Sequence, residues 1–240
     1  MKIFKIVISA FILFSLTVSA NAKIYLVAVG VSDYPGNNKD LRLPANDAAT
    51  VRYVYSKNSN AESVLLTNSD ATKSAVLSKL RSTFAKATDN DIIVFFFSGH
   101  GTKGAFCAYD AQIPYSEIRK AMASSKAKNK MIFADACFSG KMRQGRKNTA
   151  EQSFNNYNIM LFLSSRGNET SIERRDMKNG FFTSCLQKGL RGGADVNRDR
   201  VITAKELFSY VSRNVKLLSN DKQHPVMWGK FSDNMVVMKW

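Results

Sequence analysis

Runs of apolar residues alternate with amphipathic stretches along most of the chain. The first apolar run is Lys23–Val31, and similar runs recur at Asp91–Phe97, Lys130–Asp135 and Ile159–Leu163. Nearly continuous apolar runs of this length predict strands that are covered on both faces. The pattern therefore predicts a sheet that lies between two other layers.

Between these strands, apolar residues recur three and four positions apart, which predicts amphipathic helices. The predicted helices are Asp47–Tyr55, Ala71–Ala85 (with Ser69 or Asp70 as its cap), Tyr115–Ser125, Gly180–Leu190 and Ala204–Val215. The predicted shorter strands are Ser63–Leu66, Phe106–Ala111 and Met235–Met238. This alternation favours an α/β fold, a three-layer sandwich with a mostly parallel central sheet and helices on both faces. A single domain over residues 23–240 fits the length.

The first 22 residues have a different pattern. Met1–Lys5 carries two lysines, Ile6–Ala20 is uncharged and apolar, and Ala20–Ala22 has the small-x-small form of a cleavage site. This order predicts a secretory signal peptide at residues 1–22, so that the protein is exported to the periplasm or the extracellular space. As a membrane anchor the run would span only about 22 Å of a bilayer core of ~30 Å. No transmembrane segment is expected after its removal.

The chain is strongly basic, with 35 lysines and arginines against 19 acidic residues and a formal charge of +16. Loss of Lys2 and Lys5 with the signal would lower this charge to +14. Such a charge favours contact with anionic surfaces, including an anionic cell envelope. Because the basic residues are scattered and no helix-turn-helix or zinc-finger spacing occurs, no specific nucleic-acid partner is expected.

Three cysteines and two histidines are the residues that suggest chemistry. An odd number of cysteines leaves at least one thiol free. Cys107 and Cys185 lie beside phenylalanines and are predicted to be core residues, whereas Cys137 follows a predicted strand. His100 also follows a predicted strand, and the carboxyl ends of parallel strands meet at one edge of a sheet. A nucleophilic thiol needs a base nearby, so His100 and Cys137 are the predicted catalytic pair.

The segments around these two residues resemble the catalytic motifs of the caspase–metacaspase clan, and the bacterial metacaspase-like (orthocaspase) branch most of all. The motifs are Ser98–Gly101 and Asp135–Gly140. Further similarity is found at Leu43–Ala48, Phe181–Thr183 and Gly192–Leu207. The chain departs from the animal caspase signature, since aspartate replaces the glutamine two residues before the cysteine.

This resemblance implies a cysteine endopeptidase in which His100 is the base and Cys137 attacks the scissile carbonyl. The backbone N–H groups of Gly101 and Cys137 would form the oxyanion hole. The sequence nominates no third member of a catalytic triad and no required cofactor. The alternative is a catalytically silent caspase-like binding protein of the cell envelope.

The resemblance also implies a substrate preference, since Asp47 and Asp135 match aspartates that line the S1 pocket in metacaspase-like proteins. Two carboxylates suit a guanidinium or an ammonium group, and bidentate pairing favours arginine. The expected substrates are therefore proteins or peptides with Arg or Lys at P1. The alternative role for Asp47 is that of a helix cap.

Residues 141–157 are polar and basic and are predicted to form a long exposed loop. Arg143, Arg146 and Lys147 in this loop are candidate self-cleavage positions for an enzyme that cuts after basic residues. The alternative is a solvated loop that is never processed.

The segment Asp195–Glu206 has the ligand spacing of a calcium-binding EF-hand loop. Arg200, however, stands at the position that needs glycine for the sharp turn. Calcium binding here is one hypothesis, and the other is a polar turn in which Thr203 caps the next helix. No other metal site is predicted.

Overall fold

The computed structural model describes residues 22–36, 39–102, 104–137, 158–165 and 176–240, with the backbone alone at residue 137. The strands are β1 (Ile24–Gly30), β2 (Ala61–Thr67), β3 (Ile92–Thr102), β4 (Ala105–Cys107), β5 (Gln112–Pro114), β6 (Asn129–Cys137), β7 (Ile159–Leu163), β8 (Val201–Thr203), β9 (Val226–Trp228) and β10 (Val236–Lys239). The α-helices are α1 (Pro44–Ser56), α2 (Lys73–Phe84), α3 (Tyr115–Ala123), α4 (Phe181–Lys188) and α5 (Ala204–Leu218). A 3-10 turn (Asn68–Asp70) precedes α2, and a π-turn (Gly189–Gly193) follows α4.

The main sheet has the strand order β2-β1-β3-β6-β7-β9. All pairs are parallel except β7 with β9 at the edge. The hairpin of β4 and β5 extends from the end of β3, and β8 pairs with β10 in a separate antiparallel ribbon. The three-layer α/β sandwich with a mostly parallel central sheet that the sequence predicts is confirmed.

Successive strand residues feed two separate cores, one on each face of the sheet. Phe95 and Phe97 of β3 pack with α2 and α3, whereas Val94 and Phe96 pack with α1, α4 and α5. All four side chains are fully buried. This two-sided burial explains why the main strands are uninterrupted apolar runs rather than alternating ones.

The strand that carries His100 is longer than the sequence suggests. The apolar run ends at Phe97, but β3 continues through the small polar segment to Thr102 and then turns into β4. The predicted strand Phe106–Ala111 overlaps β4 only, because a tight turn closes between Ala108 N and Ala111 O and β5 begins after that turn. Phe106 and Ile113 pair across this hairpin and are both buried.

Two helix starts also differ from prediction. Helix α1 begins at Pro44, so that Asp47 lies inside the first turn and is not a cap; the alternative role for Asp47 is therefore wrong. Helix α2 is capped by Thr72, whose hydroxyl accepts from Ala75 N, and not by the two residues predicted. Ser69 and Asp70 belong to the 3-10 turn instead, which Ala71 N closes by donating to Asn68 O.

The short strands β8 and β9 were missed because three residues carry no readable period. The predicted signal peptide (all but its last residue) and the loop 141–157 lie outside the described residues. Within the described ranges, none of the helices combines the length and apolar character needed to span a bilayer.

A test of this architecture is Gly30→Ala, at the junction of β1 and α1. A Cβ on Gly30 would lie 2.1 Å from Pro44 O and 2.9 Å from Ala45 Cα. Because those are backbone atoms, the start of α1 must move, and we expect a loss of about 3 kcal/mol in unfolding free energy. Urea denaturation measures this loss. In the control Gly36→Ala the new Cβ meets open space, and only the left-handed backbone conformation should cost about 1 kcal/mol. Equal losses in both variants would contradict the tight junction.

Candidate active site

The two predicted catalytic residues lie opposite each other at the carboxyl end of the sheet. In the parallel pairing of β3 with β6, Ser98 is opposite Asp135 and His100 is opposite Cys137. Neighbouring strands in a sheet are about 4.8 Å apart. The register thus places the histidine and the cysteine on adjacent strands at the same level, as strand-end reasoning predicts.

The imidazole of His100 is oriented by a backbone carbonyl. Its Nε2 lies 2.7 Å from the carbonyl oxygen of Lys39. A carbonyl only accepts hydrogen bonds, so Nε2 carries the proton and Nδ1 of the neutral ring keeps its lone pair. This contact fixes the tautomer in which Nδ1 is available as a base. No sequence pattern could nominate it, because the group belongs to the main chain.

Tyr34 contacts His100 through its hydroxyl group and its ring. Its hydroxyl accepts from His100 N at 2.9 Å and donates to Cys107 O at 3.0 Å, and its ring centroid lies 5.0 Å from that of the imidazole. A Cβ on Gly99 would approach the hydroxyl to 2.7 Å, so the contact requires glycine at that position. Burial raises the pKa of the Tyr34 phenol, which keeps it a donor. Sequence reasoning did not nominate Tyr34.

Asp47 is buried on the opposite side of this edge and accepts three hydrogen bonds. Its Oδ2 accepts from Ser98 Oγ at 2.9 Å. Its Oδ1 accepts from Asn179 Nδ2 at 2.9 Å and from Gly180 N at 3.1 Å. The side chain is thereby fixed between the end of β3 and the start of α4.

Asp135 is the second buried carboxylate. Its Oδ2 accepts from the backbone N of Thr183 at 3.2 Å and from the Thr183 hydroxyl at 2.8 Å. Only 7% of Asp135 and 2% of Asp47 are exposed. The N-terminal end of α4 thus supplies donors to both aspartates. The N-terminal end of a helix stabilises negative charge.

Gly180 allows the two carboxylates to approach each other. A Cβ on Gly180 would lie 2.5 Å from Asp135 Oδ2 and 3.5 Å from Asp47 Oδ2. The two oxygens are therefore no more than about 6 Å apart (2.5 plus 3.5 Å). Burial is the main cause that raises the pKa of Asp47 well above its ordinary value, and the charge of Asp135 adds to it. Its three hydrogen bonds oppose this increase without cancelling it. A positive charge next to the two carboxylates would offset this increase in the pKa.

In the segment proposed as a calcium loop, acidic side chains accept hydrogen bonds from groups of the same segment. Asp195 accepts from the N–H groups of Asp199 and Arg200, and Glu206 accepts from the backbone and hydroxyl of Thr203 in a capping box. Arg200 has a φ of 65°, the conformation for which glycine is favoured. In the described part of the chain, no group of three or more His, Cys, Asp or Glu side chains could hold a metal ion. Calcium binding stays a prediction.

Other predicted site residues are placed less completely. Gly101 follows His100 in β3 and pairs with Phe106 of the hairpin. The candidate self-cleavage positions Arg143, Arg146 and Lys147 lie outside the described residues. Cys185 is buried as predicted, and burial raises the pKa of its thiol to about 11. Cys107 is half-buried and not fully in the core as predicted, because it stands on the edge of the hairpin.

Comparison with known proteins agrees with this architecture. The model of a family described as caspase domain matches residues 24–236. Protein GSU0716 of Geobacter sulfurreducens has a similar structure, with a TM-score of 0.68 and 16% identity over 91% of this chain and 97% of that one. Caspase-1 of the insect Spodoptera frugiperda gives a TM-score of 0.66 and 15% identity over 88% of each chain. At these identities the two structures show a shared fold alone. No curated protein sequence matches.

The buried carboxylates make a prediction for stability. A pKa that is raised in the folded state means that ionised Asp47 destabilises the fold, fully so above the raised value. The cost disappears as the pH falls towards the ordinary value near 3.9. In Asp47→Asn, the new oxygen can accept from Asn179 and Gly180 while the amide donates to Ser98. We therefore expect this variant to be more stable than the natural protein at pH 7, by about 1–2 kcal/mol.

Thermal or urea unfolding from pH 4 to pH 8 measures this difference, which should shrink towards pH 4. The control Asp89→Asn changes an exposed aspartate paired with Lys128 at 3.5 Å and should be nearly neutral. A destabilised Asp47→Asn at pH 7 would argue against a strained carboxylate pair.

Proposed function

The chain belongs to the caspase domain family, and from this premise we propose that it is a cysteine endopeptidase that cleaves proteins or peptides after arginine or lysine. The observation that carries the proposal is the pair of buried carboxylates, Asp47 and Asp135, next to the edge where His100 faces Cys137. The family membership suggests the reaction, and the carboxylates suggest the substrate.

In the proposed reaction, Nδ1 of His100 takes the proton of the Cys137 thiol. The thiolate then attacks the scissile carbonyl, and the backbone N–H groups of Gly101 and Cys137 would stabilise the oxyanion. The hydrogen bond from His100 Nε2 to Lys39 O keeps the ring in the tautomer that this step needs.

The protonated His100 next returns its proton to the leaving amine, so that the C–N bond breaks and a thioester remains on Cys137. Water then attacks the thioester, with His100 again as base, and releases the acid and the thiol. The cycle consumes one water and one peptide bond. It balances without an external oxidant, reductant or metal, and so we propose that no cofactor is required.

Specificity would come from charge neutralisation. Asp47 and Asp135 already accept hydrogen bonds on some of their oxygens, but their charges lie close together in a buried region. A guanidinium or ammonium group that enters this region would relieve their repulsion. The planar guanidinium of arginine also presents several donors that suit two carboxylates. An acidic P1 side chain would add a third negative charge and is expected to be rejected.

Two further proposals rest on the sequence pattern. We propose that a signal peptide at residues 1–22 directs the protein to the periplasm or the extracellular space, where its basic surface contacts an anionic envelope. We also propose that the enzyme processes itself after Arg143, Arg146 or Lys147.

The peptidase proposal is tested on protein that begins at Lys23, with peptides that carry Arg, Lys, Asp or Leu at P1. We expect cleavage after Arg and Lys alone, and a loss of about a thousandfold or more in Cys137→Ala. Cys185→Ala, which removes a buried thiol, should retain the activity. If none of the proteins cleaves any peptide, the silent binding protein is favoured. Cleavage after Leu at the same rate as after Arg or Lys would contradict the carboxylate pocket.

The role of Tyr34 gives a separate prediction. Tyr34→Phe removes the hydroxyl that holds His100 N, so the imidazole should lose part of its alignment. We expect kcat to fall by about tenfold while KM changes little, since the carboxylates are untouched. A steady-state assay with the arginine peptide separates the two parameters. Tyr53→Phe, a change on the exposed side of α1, is the control. A raised KM with normal kcat would contradict a positioning role.

A further inference from the structure

A cavity of about 490 Å³ lies beside His100, between the loop that carries Lys39 and the hairpin of β4 and β5. We name it the hairpin cavity; its lining includes Tyr34, Pro35, Cys107, Ala108, Tyr109 and Ala111, together with the polar residues Lys39, Thr102, Asp110 and Gln112. His100 and Gly101 form the end of the cavity that meets the candidate active site. The carboxylate pair is not part of its lining.

The hairpin cavity and the carboxylate pair lie on opposite faces of the sheet. Tyr34 and Ala108 belong to the core that packs with α2 and α3. Asp47 lies on α1, and Gly180 directly precedes α4, the helices that pack on the other face. The edge formed by His100 and Cys137 separates the two sides. A peptide that places one side chain against the carboxylates must therefore cross this edge before it reaches the cavity.

We propose that the hairpin cavity binds the side chain of the residue directly after the scissile bond, P1′, and that this side chain is aromatic or large aliphatic. The inference rests on the proposed peptidase function. His100 must reach the leaving amine to protonate it, so the amine and the residue attached to it lie on the His100 side. His100 lines the cavity, whereas neither Asp47 nor Asp135 does.

The walls suit an apolar side chain. The rings of Tyr34 and Tyr109, with Pro35 and Ala108, present aromatic and aliphatic surface. The Tyr34 hydroxyl is already engaged with His100 N and Cys107 O, so the ring and not the hydroxyl is offered to a ligand. Aromatic side chains bind such walls through offset or edge contacts as well as through the area they bury.

The polar groups nearby do not favour one sign of charge. Asp110 Oδ1 accepts from the backbone N of Lys73 at 2.8 Å, at the start of α2. Lys39 provides a positive charge on the opposite wall. Burial raises the pKa of the Cys107 thiol, so that this wall is a neutral, polarisable surface. Because Lys39 and Asp110 in the lining carry opposite charges, the cavity favours neither an acidic nor a basic P1′ side chain, and we take size and apolar area as the basis of selection.

Peptides that share Arg at P1 and differ only at P1′ test the inference, with Gly, Leu, Phe, Asp and Lys at that position. We expect kcat/KM for the Phe and Leu peptides to exceed that for the Gly peptide by about tenfold. Ala111→Phe places a ring in the mouth of the cavity from an exposed position and should reduce this ratio to about one. Ala85→Phe, the same change at the exposed end of α2, should leave every rate unchanged.

Tyr109→Ala is a second variant, which removes an aromatic wall instead of filling the space. It should lower kcat/KM relative to the Gly peptide more for the Phe peptide than for the Leu peptide. Cleavage of all five peptides at similar rates would overturn the P1′ inference and leave the peptidase proposal intact. Retention of the preference in both Ala111→Phe and Tyr109→Ala would also overturn it. If no peptide is cut, the peptidase proposal fails, and the P1′ inference fails with it.

Discussion

The rest of the site depends on the burial of two aspartates close together. Asp47 and Asp135 approach to within about 6 Å, where little water is present to screen them. The protein stabilises them with donors from β3 and from the start of α4, but burial still raises the pKa of Asp47. A fold selected for stability alone would place neutral side chains here. The cost of burying the two carboxylates is understandable if a cationic substrate side chain offsets it. The carboxylate pair that destabilises the free protein would then also select the substrate.

The parallel sheet connects this charged region to the reacting groups. Because β3 and β6 pair in register, Ser98 faces Asp135 two positions before His100 faces Cys137. Strand β3 thus carries both Ser98, which donates to Asp47, and the proposed base His100. Its neighbour β6 carries the second carboxylate, Asp135, and the proposed nucleophile, Cys137. A shift of the register by one residue would separate both pairs at once. The burial of both faces of the sheet makes such a shift costly.

Much of this arrangement could be predicted from the sequence, and the parts that could not have physical reasons. Apolar runs identified the main strands, and strand ends next to glycine identified His100 and Cys137. The continuation of β3 through His100 was missed because its last residues are small and polar, so that pairing with β6 and β4 and not hydrophobicity defines them. The carbonyl of Lys39 was missed since every residue has one. Tyr34 lies far from the histidine in sequence, and only the fold brings its hydroxyl to His100 N.

We propose that a thiol at residue 137 attacks substrates whose P1 side chain is held by the two aspartates. The most direct test of this proposal is covalent labelling with a pair of thiol-directed acyloxymethyl ketone probes, identical except for arginine or aspartate at P1, followed by peptide mass mapping. We expect a single adduct on Cys137, formed rapidly with the arginine probe and hardly at all with the aspartate probe. Equal labelling by both probes, or an adduct on Cys107 with none on Cys137, would contradict it.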